Sequence, residues 1–247
     1  MAEKSGISWT NNTFNPWWGC TKVSPACTHC YAERDSKRFG YEVWGLDAPR
    51  KTQSERYWND PIRWNKRAKE TGIRERVFCA SMADVFEDRR DLDPLRDRLW
   101  SLIEKTDHLD WLLLTKRPES WNLLPTKWKD KLPDNIWLGI TAENQEWWDR
   151  RKIYLASAPK SIKFISAEPL LGPLVLGDEA KLLDWVITGA ESGTGARFVD
   201  ENWIRALRDE CAGQKIKFFY KQAMVDGKVI DKPYLDGLQW LEYPTND

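Results

Sequence analysis

The chain has 247 residues, with 38 Lys and Arg balanced by 38 Asp and Glu, 41% hydrophobic residues and 31% charged ones. This composition excludes a disordered chain, and the balanced charge removes the strongly basic pI that marks many nucleic-acid binders. Sixteen tryptophans beside two histidines exclude chemistry built on several imidazoles, and five cysteines, an odd number, argue against a secreted disulfide framework.

From the N-terminus, MAEKSGISWTNN lacks the apolar core of a signal peptide, and no apolar run approaches membrane-spanning length. A cytoplasmic protein without a membrane partner is expected. Strands are predicted at residues 13–18, 77–82, 111–115, 136–141, 163–167, 184–190 and 215–221, each short, β-branched or aromatic, and bounded by polar or turn residues. Helices are predicted at 93–106, 144–158 and 200–213, the last with Asp200 as N-cap and Gly213 as the closing glycine. Alternating strands and helices imply parallel strands with helices outside. The expected fold is α/β, a partial or full TIM-type (β/α) barrel in a single domain over 1–247. A doubly wound open sheet is the alternative.

Two stretches break the charge balance. Residues 50–76 carry nine Lys and Arg against four acids, interleaved with Tyr57, Trp58 and Trp64, and residues 84–110 carry nine acids against five bases. The first reads either as a basic aromatic insertion, at about 40–75, that stacks and neutralises nucleic acid, or as an amphipathic helix with a solvated face.

The strand ends carry the polar residues: Ser81 and Asp84, Thr115-Lys116-Arg117, Thr141 with Glu143, Ser166 with Glu168, Glu191, and Lys221-Gln222. In parallel α/β folds these carboxyl ends form the ligand-binding face. Cys20, Cys27 and Cys30 lie in GCTKVSPACTHCYAE, with six residues between the first pair and two between the second. Three thiolates on one loop suit an iron–sulfur cluster with one open iron, or structural zinc with a fourth ligand such as His29. Cys79 and Cys211 fit core positions, although Cys79 is also a candidate hydrogen donor, and His108 reads as structural. The loop ESGTGAR (191–197) is a candidate phosphate cradle through its N–H groups and Arg197.

The cysteine run, with SMADVF, LLLTKRPE, IWLGITAEN, FISAEPLLGPL, DWVITGAESGTGAR and FFYKQ, resembles a phage-associated three-cysteine-motif family of the radical S-adenosylmethionine (SAM) superfamily, related in pattern to spore photoproduct lyase. These blocks run from the first strand to the last. The resemblance implies a radical SAM core in which Cys20, Cys27 and Cys30 hold a [4Fe–4S] cluster whose open iron binds SAM. Lys116 is then the cation for the SAM carboxylate, Ser81 a hydroxyl for the same end, and Glu143 an acceptor for the ribose hydroxyls. Glu168, Glu191 and Lys221 become substrate-rim candidates. The implied substrate is a nucleic-acid base or nucleotide, with an external electron donor and a cognate partner protein. The implied setting is the cytoplasm of a bacterial host. A zinc-stabilised nucleic-acid- or partner-binding module without catalysis is the alternative function.

Overall fold

The computed structural model describes residues 5–193 and 195–245. The strands are β1 (Asn12–Thr13), β2 (Trp17–Trp18), β3 (Lys51–Thr52), β4 (Glu75–Cys79), β5 (Leu109–Thr115), β6 (Ile136–Thr141), β7 (Ile162–Ala167), β8 (Trp185–Gly189), β9 (Lys217–Val225), β10 (Lys228–Asp231), β11 (Tyr234–Leu235) and β12 (Leu238–Gln239). The α-helices are α1 (Tyr31–Arg38), α2 (Glu55–Trp58), α3 (Asp60–Thr71), α4 (Asp93–Glu104), α5 (Gln145–Ser157) and α6 (Glu201–Gln214). The main sheet has the order β1-β4-β5-β6-β7-β8-β9-β10. Its pairs β1–β4, β4–β5, β7–β8 and β8–β9 are parallel, and β9–β10 is an antiparallel hairpin. The fold is α/β, of the partial (β/α)-barrel type. No helix among the described residues is long and apolar enough to cross a membrane.

Contact density divides the chain into two compact units. The first runs to Val23 and adds Cys30–Leu138 and Pro159–Ser161; the second comprises Ser24–His29, Gly139–Ala158 and the chain from Ile162 onward.

In the first unit, β5 is buried along nearly its whole length, as expected of a strand covered on both faces. α3 starts with Pro61 in its first turn and stops at Gly72, whose φ of 68° a β-carbon would disfavour. The strand predicted over 13–18 is two short pieces: β1 pairs with β4, whereas β2 turns away to pair antiparallel with β3. Asn15 and Pro16 lie between them, and a proline cannot donate to a ladder.

The aromatics of the basic stretch are not a stacking platform. Tyr57 stacks on Phe14 at 5.0 Å, and Trp58 and Trp64 are buried. Much of its positive charge is paired internally, Arg63 with Asp60, Arg67 with Glu75 and Arg74 with Asp110. An amphipathic helix with a solvated face describes α3. His108 receives structural partners, its N–H donating to Asn65 Oδ1 and its Nδ1 lying 2.8 Å from Asp107 Oδ1.

In the second unit, α5 is capped by Asn144, whose side chain accepts from Trp147 N, and α6 by Asp200, which accepts from Asn202 N. α6 continues past the expected stop at Gly213 and closes at Lys215, with φ of 60°. β8 is wholly buried. A β-carbon on Gly139 would sit 2.2 Å from the Phe164 ring, so this close approach requires glycine. Across the chain, ten of the sixteen tryptophans are buried, which accounts for most of that unusual content as core filling.

Candidate functional site

In the first unit, the residues after β2 are threaded through a buried polar network. Gly19, with φ of 116°, donates its N–H to Met82 O, and a β-carbon there would lie 2.3 Å from Val43 O. Only glycine fits that turn. Cys20 follows. Its Sγ accepts from Arg117 Nη1 at 3.5 Å, and Arg117 also reaches Asp84 Oδ2 at 3.0 Å and Thr21 O at 2.6 Å. Thr21 Oγ1 donates to Glu87 Oε1 at 2.8 Å, and Glu87 receives a bidentate pair from Arg50 Nε and Nη2 at 2.9 and 2.7 Å. Burial pushes the Cys20 thiol up to about 12; Arg117 opposes that shift, while Asp84 and Glu87 add to it.

Asp84 also accepts from Thr115 Oγ1 at 2.7 Å, from Phe86 N at 3.1 Å and from Lys116 N at 3.1 Å. It therefore caps the segment that follows it and ties the ends of β4 and β5 together. Ser81 is held by Asn15, whose Nδ2 donates to Ser81 Oγ at 3.1 Å and whose Oδ1 accepts from Met82 N. Tyr31 of α1 donates to Ser81 O at 3.1 Å. Lys116 is half-buried, and among the described residues no carboxylate lies within ion-pair distance of its Nζ. Cys30 is the N-cap of α1, whereas Cys79 is fully buried in β4, a core position.

In the second unit, Ser24–His29 forms a loop containing the 3-10 turn Pro25–Cys27. Ala26 N donates to Glu143 Oε1 at 3.2 Å, and Arg151 Nη1 donates to Glu143 Oε2 at 2.8 Å. Glu143, which the resemblance assigns to ribose hydroxyls, has its side chain fully buried on these partners. Glu191 accepts from Arg197 Nη2, from Arg197 Nε at 2.9 Å and N at 3.0 Å, and from His29 Nδ1 at 2.9 Å. Burial alone would raise the Glu191 carboxyl, but the hydrogen bonds from Arg197 and His29 hold it down at about 2.

Arg197 Nη1 donates to Pro25 O at 3.0 Å, so this guanidinium is engaged by the loop and by Glu191. Of the expected phosphate cradle, Thr194 lies outside the described residues. Glu168 and Lys221 form an ion pair at the ends of β7 and in β9. Cys211 is buried in α6.

Sequence reading did not single out Arg50, Glu87, Asn15 or Arg151. Arg50, Asn15 and Arg151 sit in ordinary polar settings in the sequence, and only their burial marks them. For Arg117 and Glu87 a signal existed: both directly follow strand-end motifs, TK and DVF.

Cys20, Cys27 and Cys30 are half-buried, and none is in a disulfide. Among the described residues, no three His, Cys, Asp or Glu side chains are gathered into a metal-holding group. The donor chemistry still fits a cluster held by three thiolates: three half-buried cysteines in one stretch, outside any disulfide, the first of them receiving a guanidinium hydrogen bond.

The fold is shared with a solved structure of a spore photoproduct lyase mutant. The TM-score is 0.51 and the identity 12%, over 80% of this chain and 72% of that one. At that identity the likeness is one of fold. Residues 4–244 match the family described as "Protein of unknown function (DUF5131)", and the chain belongs to it. No curated protein matches.

Proposed function

We propose that this chain is a radical SAM enzyme acting on a nucleic-acid base or nucleotide, with Cys20, Cys27 and Cys30 as the ligands of a [4Fe–4S] cluster. The observation that carries this reading is three half-buried cysteines, none in a disulfide, with Arg117 donating to the first of them. The partial-barrel fold, and its likeness to a spore photoproduct lyase, support the enzyme class and the substrate class. When bound, a cluster of this kind supplies one electron, drawn from an external donor, for radical chemistry on SAM.

The chain's own residues would then bind and orient. Lys116, with no internal carboxylate partner among the described residues, offers its ammonium to the SAM carboxylate. Ser81, fixed by Asn15, offers its hydroxyl at the end of β4. Glu168 and Lys221 supply a paired acid and cation for substrate contacts.

Release of 5′-deoxyadenosine tests the reading. Anaerobically reconstituted, reduced protein given SAM should release it, and Cys27→Ala should abolish release. Iron-loaded protein that releases none, or release that survives Cys27→Ala, would overturn the assignment.

A further inference from the structure

We propose that Glu143, Glu191 and Arg197 are positioning residues that clamp the Ser24–His29 loop and thereby fix where Cys27 stands. This inference rests on the reading of Cys27 as a cluster ligand. All three residues meet the loop directly.

The clamp grips both sides of Cys27. On its N-terminal side, Arg197 Nη1 takes Pro25 O at 3.0 Å and Glu143 Oε1 takes Ala26 N–H at 3.2 Å. On its C-terminal side, Glu191 Oε2 takes His29 Nδ1–H at 2.9 Å. The two grips share a part, because Arg197 also binds Glu191 through Nε, Nη2 and its own N–H. Glu143 is anchored by Arg151, which also donates to Thr141 O at 3.0 Å.

Glu143 directly follows the strand end Thr141-Ala142, and Glu191 follows Gly189-Ala190. The two carboxylates of the clamp thus stand just past strand ends rather than on the loop itself, while Arg197 lies in the irregular stretch before α6. Charge-assisted bonds at buried carboxylates are short, directional and costly to break, which suits them to fixing a backbone. Proline at position 25 narrows the loop further by setting its own φ. A thiolate that must converge with two others on one cluster requires this kind of support from its surroundings.

The test uses the full chain without metal, so that its outcome is separable from the cluster reading. Amide hydrogen exchange over residues 24–30 and the alkylation rate of Cys27 by iodoacetamide would be compared in wild type, Arg197→Ala and Glu191→Gln. The clamp predicts that both rates rise about tenfold in each variant, while exchange in α6 and alkylation of Cys211 are unchanged. Glu143→Gln keeps an acceptor for Ala26 N–H and should stay closer to wild type than Glu143→Leu. Unchanged loop exchange and unchanged Cys27 reactivity in Arg197→Ala and Glu191→Gln would overturn the proposal. A rise at Cys211 matching that at Cys27 would also overturn it, because the substitutions would then act on the whole unit. If the wild-type chain takes up no iron, the cluster reading fails while the exchange result still decides the clamp.

Discussion

Arg117 Nη1 stands 3.5 Å from Cys20 Sγ, so the guanidinium that neutralises buried Asp84 also contacts a candidate cluster thiol. Arg117 and Asp84 are both largely withdrawn from solvent. Removing one partner of a buried pair leaves an uncompensated charge, which costs about 3–5 kcal/mol. Arg117→Met should lower unfolding stability by about that amount in urea titration. A loss below about 1 kcal/mol would mean that Asp84 is satisfied without it.

The Glu191 carboxyl, held down at about 2 by Arg197 and His29, makes a pH prediction with a defined sign. A depressed carboxyl stabilises the folded chain above its ordinary value of 4.5, and that stabilisation fades as the pH falls toward 2. The stability advantage of wild type over Glu191→Gln should be about 2 kcal/mol near neutrality, discounted from the full shift because His29 and Arg197 reach solvent. It should shrink steadily between pH 4.5 and 2. Parallel denaturation curves at several pH values check this; an advantage that grows on acidification contradicts it.

Gly139 and Phe164 share one space. Gly139→Ala should destabilise the chain by about 1–3 kcal/mol through overpacking. Phe164→Leu should recover part of that loss in the double variant, giving a nonzero coupling energy in a double-mutant cycle. Strict additivity would show that the ring is free to move aside.

Lys116 lacks an internal carboxylate partner among the described residues, so its charge contributes little to the fold. Lys116→Met should change stability by less than about 0.5 kcal/mol. It should weaken SAM binding at least about tenfold, the scale of a charge-assisted hydrogen bond, by calorimetry on reconstituted protein. Large destabilisation with unchanged SAM affinity would assign Lys116 to structure.

The main strands were readable because burial on both faces leaves a continuous apolar run, and Ile136–Thr141 falls where IWLGIT predicts it. The helix start at Asp200 is legible from its capping side chain. The short strands β3, β10, β11 and β12 carry no such signature: apart from buried Leu235, their residues are exposed or half-exposed.

At the site, charged residues near strand ends could be picked out from the sequence, but their partners could not. Glu143 and Glu191 are alike in the sequence to residues that wait for a ligand. Only burial and the positions of Ala26, His29 and Arg197 show that their oxygens already hold the chain itself. The same limit applies to Tyr57, Trp58 and Trp64, whose basic neighbours suggest a surface, while both tryptophans are buried and half-buried Tyr57 stacks on core Phe14.

Metal and sulfide analysis of anaerobically purified protein, with electron paramagnetic resonance after reduction, tests the central claim most directly. A radical SAM enzyme of this kind should carry about four iron and four sulfide per chain, give a reduced-cluster signal that changes on adding SAM, and lose both in Cys27→Ala. A colourless protein holding about one zinc and no iron would contradict the account and establish the structural metal module instead.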